Sequence, residues 1–212
     1  MKSFINLSLL IVFGFSLAGC EQQKSVSTTE AAPEVPAVVA EIPKYSAKVF
    51  FETTSYGLPG SAGHAFSADG KSLLMSSDTT GVFNVYALPL DGGTPEPLTQ
   101  STDNATFAVS WFPADNRILY TYDGGGNELN HVFVREEDGS TRDLTPGDEL
   151  KAGFLAWSGD GQSFYLTSTE RNGKSFDVYR YAVSDYSREI VFENPGYQIS
   201  AISDDGRWLA LD

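Results

Sequence analysis

Two histidines and a single cysteine are the only imidazoles and thiol in this 212-residue chain. A serine nucleophile of the hydrolase kind needs Gly-x-Ser-x-Gly on a strand-to-helix turn, with an acid and a histidine further along. No such string occurs. The nearest, Gly14-Phe15-Ser16-Leu17-Ala18, lies in an apolar N-terminal stretch. His-Glu-x-x-His, a phosphate loop and a calcium loop are all missing from the sequence. One thiol with His64 and His131 far apart makes no zinc site. No catalytic residue, metal site or cofactor is therefore expected. The most distinctive string that remains is Asp123-Gly124-Gly125-Gly126-Asn127-Glu128-Leu129-Asn130-His131. Asp123, Asn127 and Glu128 could together hold a peptide ammonium or dock a partner domain. Asp, Asn and Gly are also what tight turns require, so turn chemistry alone accounts for Asp123 and Asn127. It does not demand Glu128. The three glycines join two strand-like runs, with no helix dipole to favour a phosphate. His131 falls in a strand-like run and reads as a packed or hydrogen-bonded histidine.

The scaffold that must carry these residues is repetitive. Four stretches share one punctuation: Ser67-Ala68-Asp69-Gly70, Phe112-Pro113-Ala114-Asp115-Asn116, Ser158-Gly159-Asp160-Gly161 and Ser203-Asp204-Asp205-Gly206. Their aspartates recur after 46, 45 and 45 residues, counted from 69 to 115, 160 and 205. An apolar run follows each, such as Leu73-Leu74-Met75 and Ile118-Leu119-Tyr120. Tyr86, Phe133 and Tyr179 recur at the same period, as do Leu98, Leu144 and Ile190. Turn signals such as Asp91-Gly92-Gly93 and Asp138-Gly139-Ser140 separate the landmarks. Each unit predicts four short strands. A strand-rich repeat of this length is a propeller blade, and blades bury their faces only against neighbours. The prediction is an all-β partial β-propeller. Its blades span about 62–104, 105–151 and 152–197, with a partial one at 198–212. An irregular β-sandwich, the alternative, does not predict a fixed period. About three and a half blades cannot close a ring, so the chain is expected to be the front part of a longer protein. As a complete product, Trp208 to Leu211 would leave an exposed apolar edge, an aggregation hazard. By the repeat, the loops at 78–81, 123–131 and 170–174 leave one face of the disc as an acidic rim.

Residues 1–20 stand apart from the repeats. Lys2 precedes a largely apolar run from Phe4 to Leu17, too short to span a membrane. It ends in Leu17-Ala18-Gly19-Cys20, which resembles a bacterial lipoprotein signal. That resemblance implies lipidation at Cys20, and hence a membrane anchor driven by acyl-chain burial. An ordinary secretory signal with an incidental cysteine is the alternative. Glu21 rather than Asp after the cysteine points to the outer membrane, facing the periplasm. Residues 21–44 are rich in Ser, Thr, Ala, Pro, Gln and Glu and have no aromatic residue. Such a segment cannot offset its ordering entropy and acts as a flexible linker.

The formal net charge is −14, which argues against nucleic-acid partners and against adhesion to anionic lipid. After Cys20 no cysteine remains for a disulfide, so stability must come from packing.

Several strings together resemble one family. They are Phe50-Phe51-Glu52, the Ser-x-Asp-Gly turns, Asp91-Gly92-Gly93 before Pro97-Leu98-Thr99, and Asp123 to Glu128 before Asp143-Leu144-Thr145-Pro146-Gly147. They look like the N-terminal propeller of prolyl oligopeptidase-family serine peptidases, nearest the bacterial dipeptidyl/acylaminoacyl-peptidase group. The resemblance covers about residues 45–212. The Asp-Gly turns and Leu-Thr strands are shared with TolB-type propellers; the Asp-x-Gly-Gly-Asn-Glu string is more specific. In the family the propeller caps an α/β-hydrolase domain that carries Ser, Asp and His, and admits short peptides. None of those catalytic positions has a counterpart here. The resemblance implies a substrate-gating cap that meets its peptide substrate together with an absent hydrolase domain. The alternative is a non-enzymatic, TolB-like propeller lipoprotein that binds proteins. Made alone, the chain is expected to be poorly soluble or oligomeric and to lack peptidase activity.

Overall fold

The computed structural model describes residues 42–212. Cys20, the expected signal and nearly all of the expected linker lie outside the described residues. The first element is a five-residue helix, α1 (Ala47–Phe51), with no buried side chain. It is too short to register as a helical period in the sequence. Every later regular element described is a strand.

Three antiparallel sheets of four strands and one pair follow in chain order. The first holds β1 (Tyr56–Gly57), β2 (Ser72–Ser77), β3 (Asn84–Pro89) and β4 (Glu96–Pro97). The second holds β5 (Thr106–Trp111), β6 (Ile118–Tyr122), β7 (His131–Arg135) and β8 (Thr141–Asp143). The third holds β9 (Ala152–Trp157), β10 (Ser163–Ser168), β11 (Asp177–Ala182) and β12 (Arg188–Phe192). The pair is β13 (Ile199–Ile202) with β14 (Leu209–Leu211). Strands adjacent in sequence are adjacent in every sheet. This is the all-β partial propeller that the period predicts.

Alternation along each strand sends side chains to both faces, and both faces of the second sheet are covered. Leu74, Val85 and Ala87 of the first sheet meet Trp111, Ile118 and Tyr120. On the opposite face, Leu119, Val132 and Val134 meet Phe164, Leu166, Tyr179 and Tyr181 of the third sheet. Ile118, Leu119 and Tyr120 are all buried, which explains why β6 reads as an unbroken apolar run rather than an alternating one. Three phenylalanine and tryptophan rings (Phe112, Trp157 and Phe164) pack within 6.0 Å of one another between these sheets.

The turn between the first two strands of each blade is a side-chain device. The hydroxyls of Ser67, Ser158 and Ser203 donate to Asp69, Asp160 and Asp205, each at 2.7 Å. Each carboxylate also accepts the N–H two residues on, from Lys71, Gln162 and Arg207. Gly70, Gly161 and Gly206 supply the positive φ that closes the turn. The second blade departs from the pattern. Its ladder closes from Phe112 N–H to Arg117 O, the counterpart of Ser67 to Ser72. Asp115 therefore sits one residue later in its turn than Asp69 does, although the sequence period equates the two. There Asp115 caps Arg117 N–H and chelates its guanidinium at 2.8 to 3.1 Å. Arg117 crosses to the third sheet, donating to Val183 O at 3.0 Å and Tyr186 Oη at 2.7 Å. Burial disfavours the Asp115 carboxylate, but Arg117 outweighs it and holds the pKa below the ordinary value.

The Leu-Thr landmark does not occupy one structural position in all three blades, contrary to the period. Thr99 and Thr145 use their hydroxyls to accept the N–H of Val85 and Val132, pinning the outer edge of the third strand. Ile190 follows the same period but sits within β12 opposite Tyr179, beside a bulge. In that blade Asn194 takes over the edge, donating its N–H to Asp177 at 2.7 Å.

Candidate functional site

The loop between β6 and β7 holds all three residues singled out in the sequence. Asp123 Oδ2 accepts Glu128 N–H at 2.8 Å, and Asn127 Oδ1 accepts Leu129 N–H at 3.0 Å. Asn104, on the connection between the first two sheets, accepts Gly125 N–H at 2.9 Å and fixes the tip. Asp123 and Asn127 thus close the loop on itself, as turn chemistry requires. Glu128 differs. It sits at φ 61°, a left-handed conformation that a β-carbon disfavours. It is exposed, and among the described residues its carboxylate has no hydrogen bond or ion pair.

The matching loops of the other blades narrow the acidic rim. Asp78 accepts Ser55 N–H at 2.7 Å. Glu170 pairs with Arg188 at 2.7 Å. In each case a local partner takes up the carboxylate, which leaves Glu128 as the rim acid with no such engagement.

A cavity of about 310 Å³ lies beside the loop, lined by Tyr122, Asn127, Leu129, His131, Asp143 and Asp148 among others. His131 Nδ1 is 2.8 Å from Asp143 Oδ2. Its position explains the pair. His131 opens the third strand of its blade, where the neighbouring blades carry Asn84 and Asp177. Asn84 holds Ser101 through both its N–H and its carbonyl, and Asp177 holds Asn194 and Arg171. All three tether the outer edge of a sheet, so His131 is a hydrogen-bonded structural histidine. His64 is exposed, with its ring centroid 5.9 Å from that of Trp157. No group of His, Cys, Asp and Glu among the described residues could hold a metal ion.

Sequence reasoning passed over a larger cleft, of about 490 Å³, between the connection after β4 and the outer half of the second sheet. Arg135, Tyr120 and Tyr122 come from the second blade and Leu98 to Ser101 from the end of the first, so they form no string that a motif search could find.

No family model matches the chain. It is 26% identical over 152 residues to dipeptidyl aminopeptidase BIII of Pseudoxanthomonas mexicana, across 70% of this chain and 22% of that protein. TolB from Acinetobacter baumannii superposes with a TM-score of 0.52 at 24% identity, covering 74% of this chain and 37% of that one. A prolyl endopeptidase superposes with a TM-score of 0.51 at 14% identity, covering 69% and 24%. The chain has the propeller fold found in TolB and in prolyl peptidases. It spans about a fifth of the curated peptidase it matches.

Proposed function

We propose that these blades form the substrate-gating cap of a serine peptidase that hydrolyses short peptides in the bacterial cell envelope. The catalytic α/β-hydrolase domain then belongs to polypeptide outside these 212 residues. The observation that carries the reading is the match to a dipeptidyl aminopeptidase, of which this chain covers 22%. The exposed, unengaged Glu128 supports it. A carboxylate on the rim of a cap suits the ammonium of an incoming peptide. Cys20 would carry the lipid that holds the cap at the membrane, probing the periplasm from the outer membrane. No helix among the described residues is long and apolar enough to cross a membrane.

Two experiments test the proposal. The reading frame is followed past codon 212 and the whole product assayed with chromogenic short peptides and a fluorophosphonate. More Ser-x-Asp-Gly repeats, a Gly-x-Ser-x-Gly elbow and fluorophosphonate labelling are expected. A frame that completes a propeller and ends without an elbow overturns the peptidase and leaves a TolB-like protein-binding scaffold. In the whole protein, Glu128→Gln should raise KM for peptides with a free N-terminus by about tenfold, the loss of one charge-assisted contact. Unchanged peptide affinity would sink the role of the loop.

A further inference from the structure

The cleft between the first two sheets exists because β4 is short. Pro95 and Pro97 bring no N–H to the ladder, and β4 pairs with β3 through two residues alone. The chain beyond it is held by Asn84 to Ser101 and then turns into β5. The outer half of the second sheet is left facing a cleft of about 490 Å³, within the roughly 300–1,000 Å³ of small-molecule sites. Tyr120 and Tyr122 line it, their ring centroids 6.4 Å apart and each ring stacked with Phe133, at 5.4 and 4.4 Å. Arg135 lines it as well.

Arg135 is unusual in this chain. Five other arginines (Arg117, Arg171, Arg180, Arg188 and Arg207) pair with carboxylates, and Arg142 lies over the Tyr186 ring. Arg135 is half-buried. No carboxylate of the described residues lies within 4.0 Å of it, and its one hydrogen bond, to Glu136 O, is 3.5 Å long. Asp138 feels its charge, but that carboxylate is taken up by the N–H and hydroxyl of Ser140. In a chain with 28 acids against 14 lysines and arginines, a half-buried guanidinium that pairs with no carboxylate is free to take an anion. The cleft's own acid, Asp103, is engaged by Asn104 N–H and Ser101 Oγ.

We propose that this cleft binds a small organic carboxylate, with the carboxylate on Arg135 and an apolar body against Tyr122 and Tyr120. A planar guanidinium takes a carboxylate through two parallel hydrogen bonds, and tyrosine faces accept an apolar or ring-bearing group. A free acid and the C-terminal residue of a peptide present the same chemistry. The site is separate from Glu128 and does not depend on the peptidase reading.

The full chain is titrated by ligand-observed NMR with phenylacetate, N-acetyl-Gly-Phe and N-acetyl-Gly-Phe amide. At least one acid should saturate, and the amide should bind about tenfold more weakly. Arg135→Gln should lose about tenfold in affinity for the acid, and added salt should weaken binding. Binding of phenylacetate alone identifies a free-acid site; binding of the peptide acid alone identifies a C-terminal one. If Arg135→Gln does not fold by circular dichroism, the acid-against-amide comparison on the native chain decides. Neither acid binding, equal affinity for acid and amide, or an unchanged folded Arg135→Gln variant each overturns the proposal.

Discussion

The turn aspartates show how single side chains set the pH response of this chain. Asp205 is held down at about 2, chiefly by the Ser203 hydroxyl and then by Arg207 N–H and its guanidinium. Ser67 lowers Asp69 and the Gln162 N–H lowers Asp160 in the same way. A folded-state pKa below the ordinary 3.8 means that the contribution is complete above that value. It is lost as the pH falls through the folded value. Acid unfolding followed by circular dichroism should therefore steepen between about pH 4 and pH 2, and Asp160→Asn should flatten that dependence. A slope identical to the native chain's would show that Asp160 contributes nothing. Trp111 makes a second case. Trp157 Nε1 reaches back one blade to Ser110 Oγ at 2.8 Å. Trp111 is its counterpart, yet its buried Nε1 has no partner among the described residues. The position matching Ser110 in the first blade is Ala65, whose methyl cannot accept. Ala65→Ser should stabilise the fold by about 1 kcal/mol, measured by urea denaturation. An unchanged midpoint would mean that the hydroxyl does not reach the indole.

Elements, rather than residues, decide where this propeller is rigid and where it stores strain. The loop between β6 and β7 is cross-braced by Asp123, Asn127 and Asn104, and yet holds Glu128 at positive φ. A left-handed non-glycine residue costs roughly 1–2 kcal/mol. Glu128→Gly should therefore raise stability by up to about 1 kcal/mol, less the entropy of the added glycine. Thermal unfolding checks this. A lowered Tm would mean that the glutamate side chain makes a stabilising contact. Gain of stability with loss of peptide affinity is the pattern of a residue kept for binding. Tyr186 is the other non-glycine residue at positive φ among the described residues, at 59°, and here the compensation is visible. Its hydroxyl bridges Glu136 at 2.8 Å and Arg117 at 2.7 Å, and burial pushes that hydroxyl up to about 12, so it stays a donor at neutral pH.

Across the whole molecule, the inner sheet is covered on both faces while the outer sheets present apolar surface. Tyr56, Leu58 and Phe66 beside the first sheet and Trp208 beside the pair are each more than half exposed. A cavity of about 380 Å³, lined by Leu73, Met75, Leu88 and Tyr56 among others, opens on the free face of the first sheet. Apolar surface of this kind drives association. The chain produced alone should form oligomers whose size rises with concentration in analytical ultracentrifugation, and Trp208→Ser should weaken them. A monodisperse monomer that melts cooperatively would contradict this.

The period of 45 to 46 residues was enough to predict blades, because each needs the same Asp-Gly turn and the same apolar run. The repeat also placed the Asp123–His131 loop between the second and third strands. Two residues on that loop were legible as turn-formers, since their hydrogen bonds run to neighbours in sequence. What the period could not reveal was register. Asp115 and Ile190 keep the spacing but occupy shifted positions, because a ladder closes on backbone hydrogen bonds and not on residue identity. The role of His131 also emerged only when the strands lay side by side with Asn84 and Asp177 in equivalent places. The Arg135 cleft, the bare Trp111 indole and the unengaged Glu128 carboxylate belong to tertiary structure alone. Each depends on which partner from another blade or loop is, or is not, within hydrogen-bonding reach, and a linear sequence carries no distances.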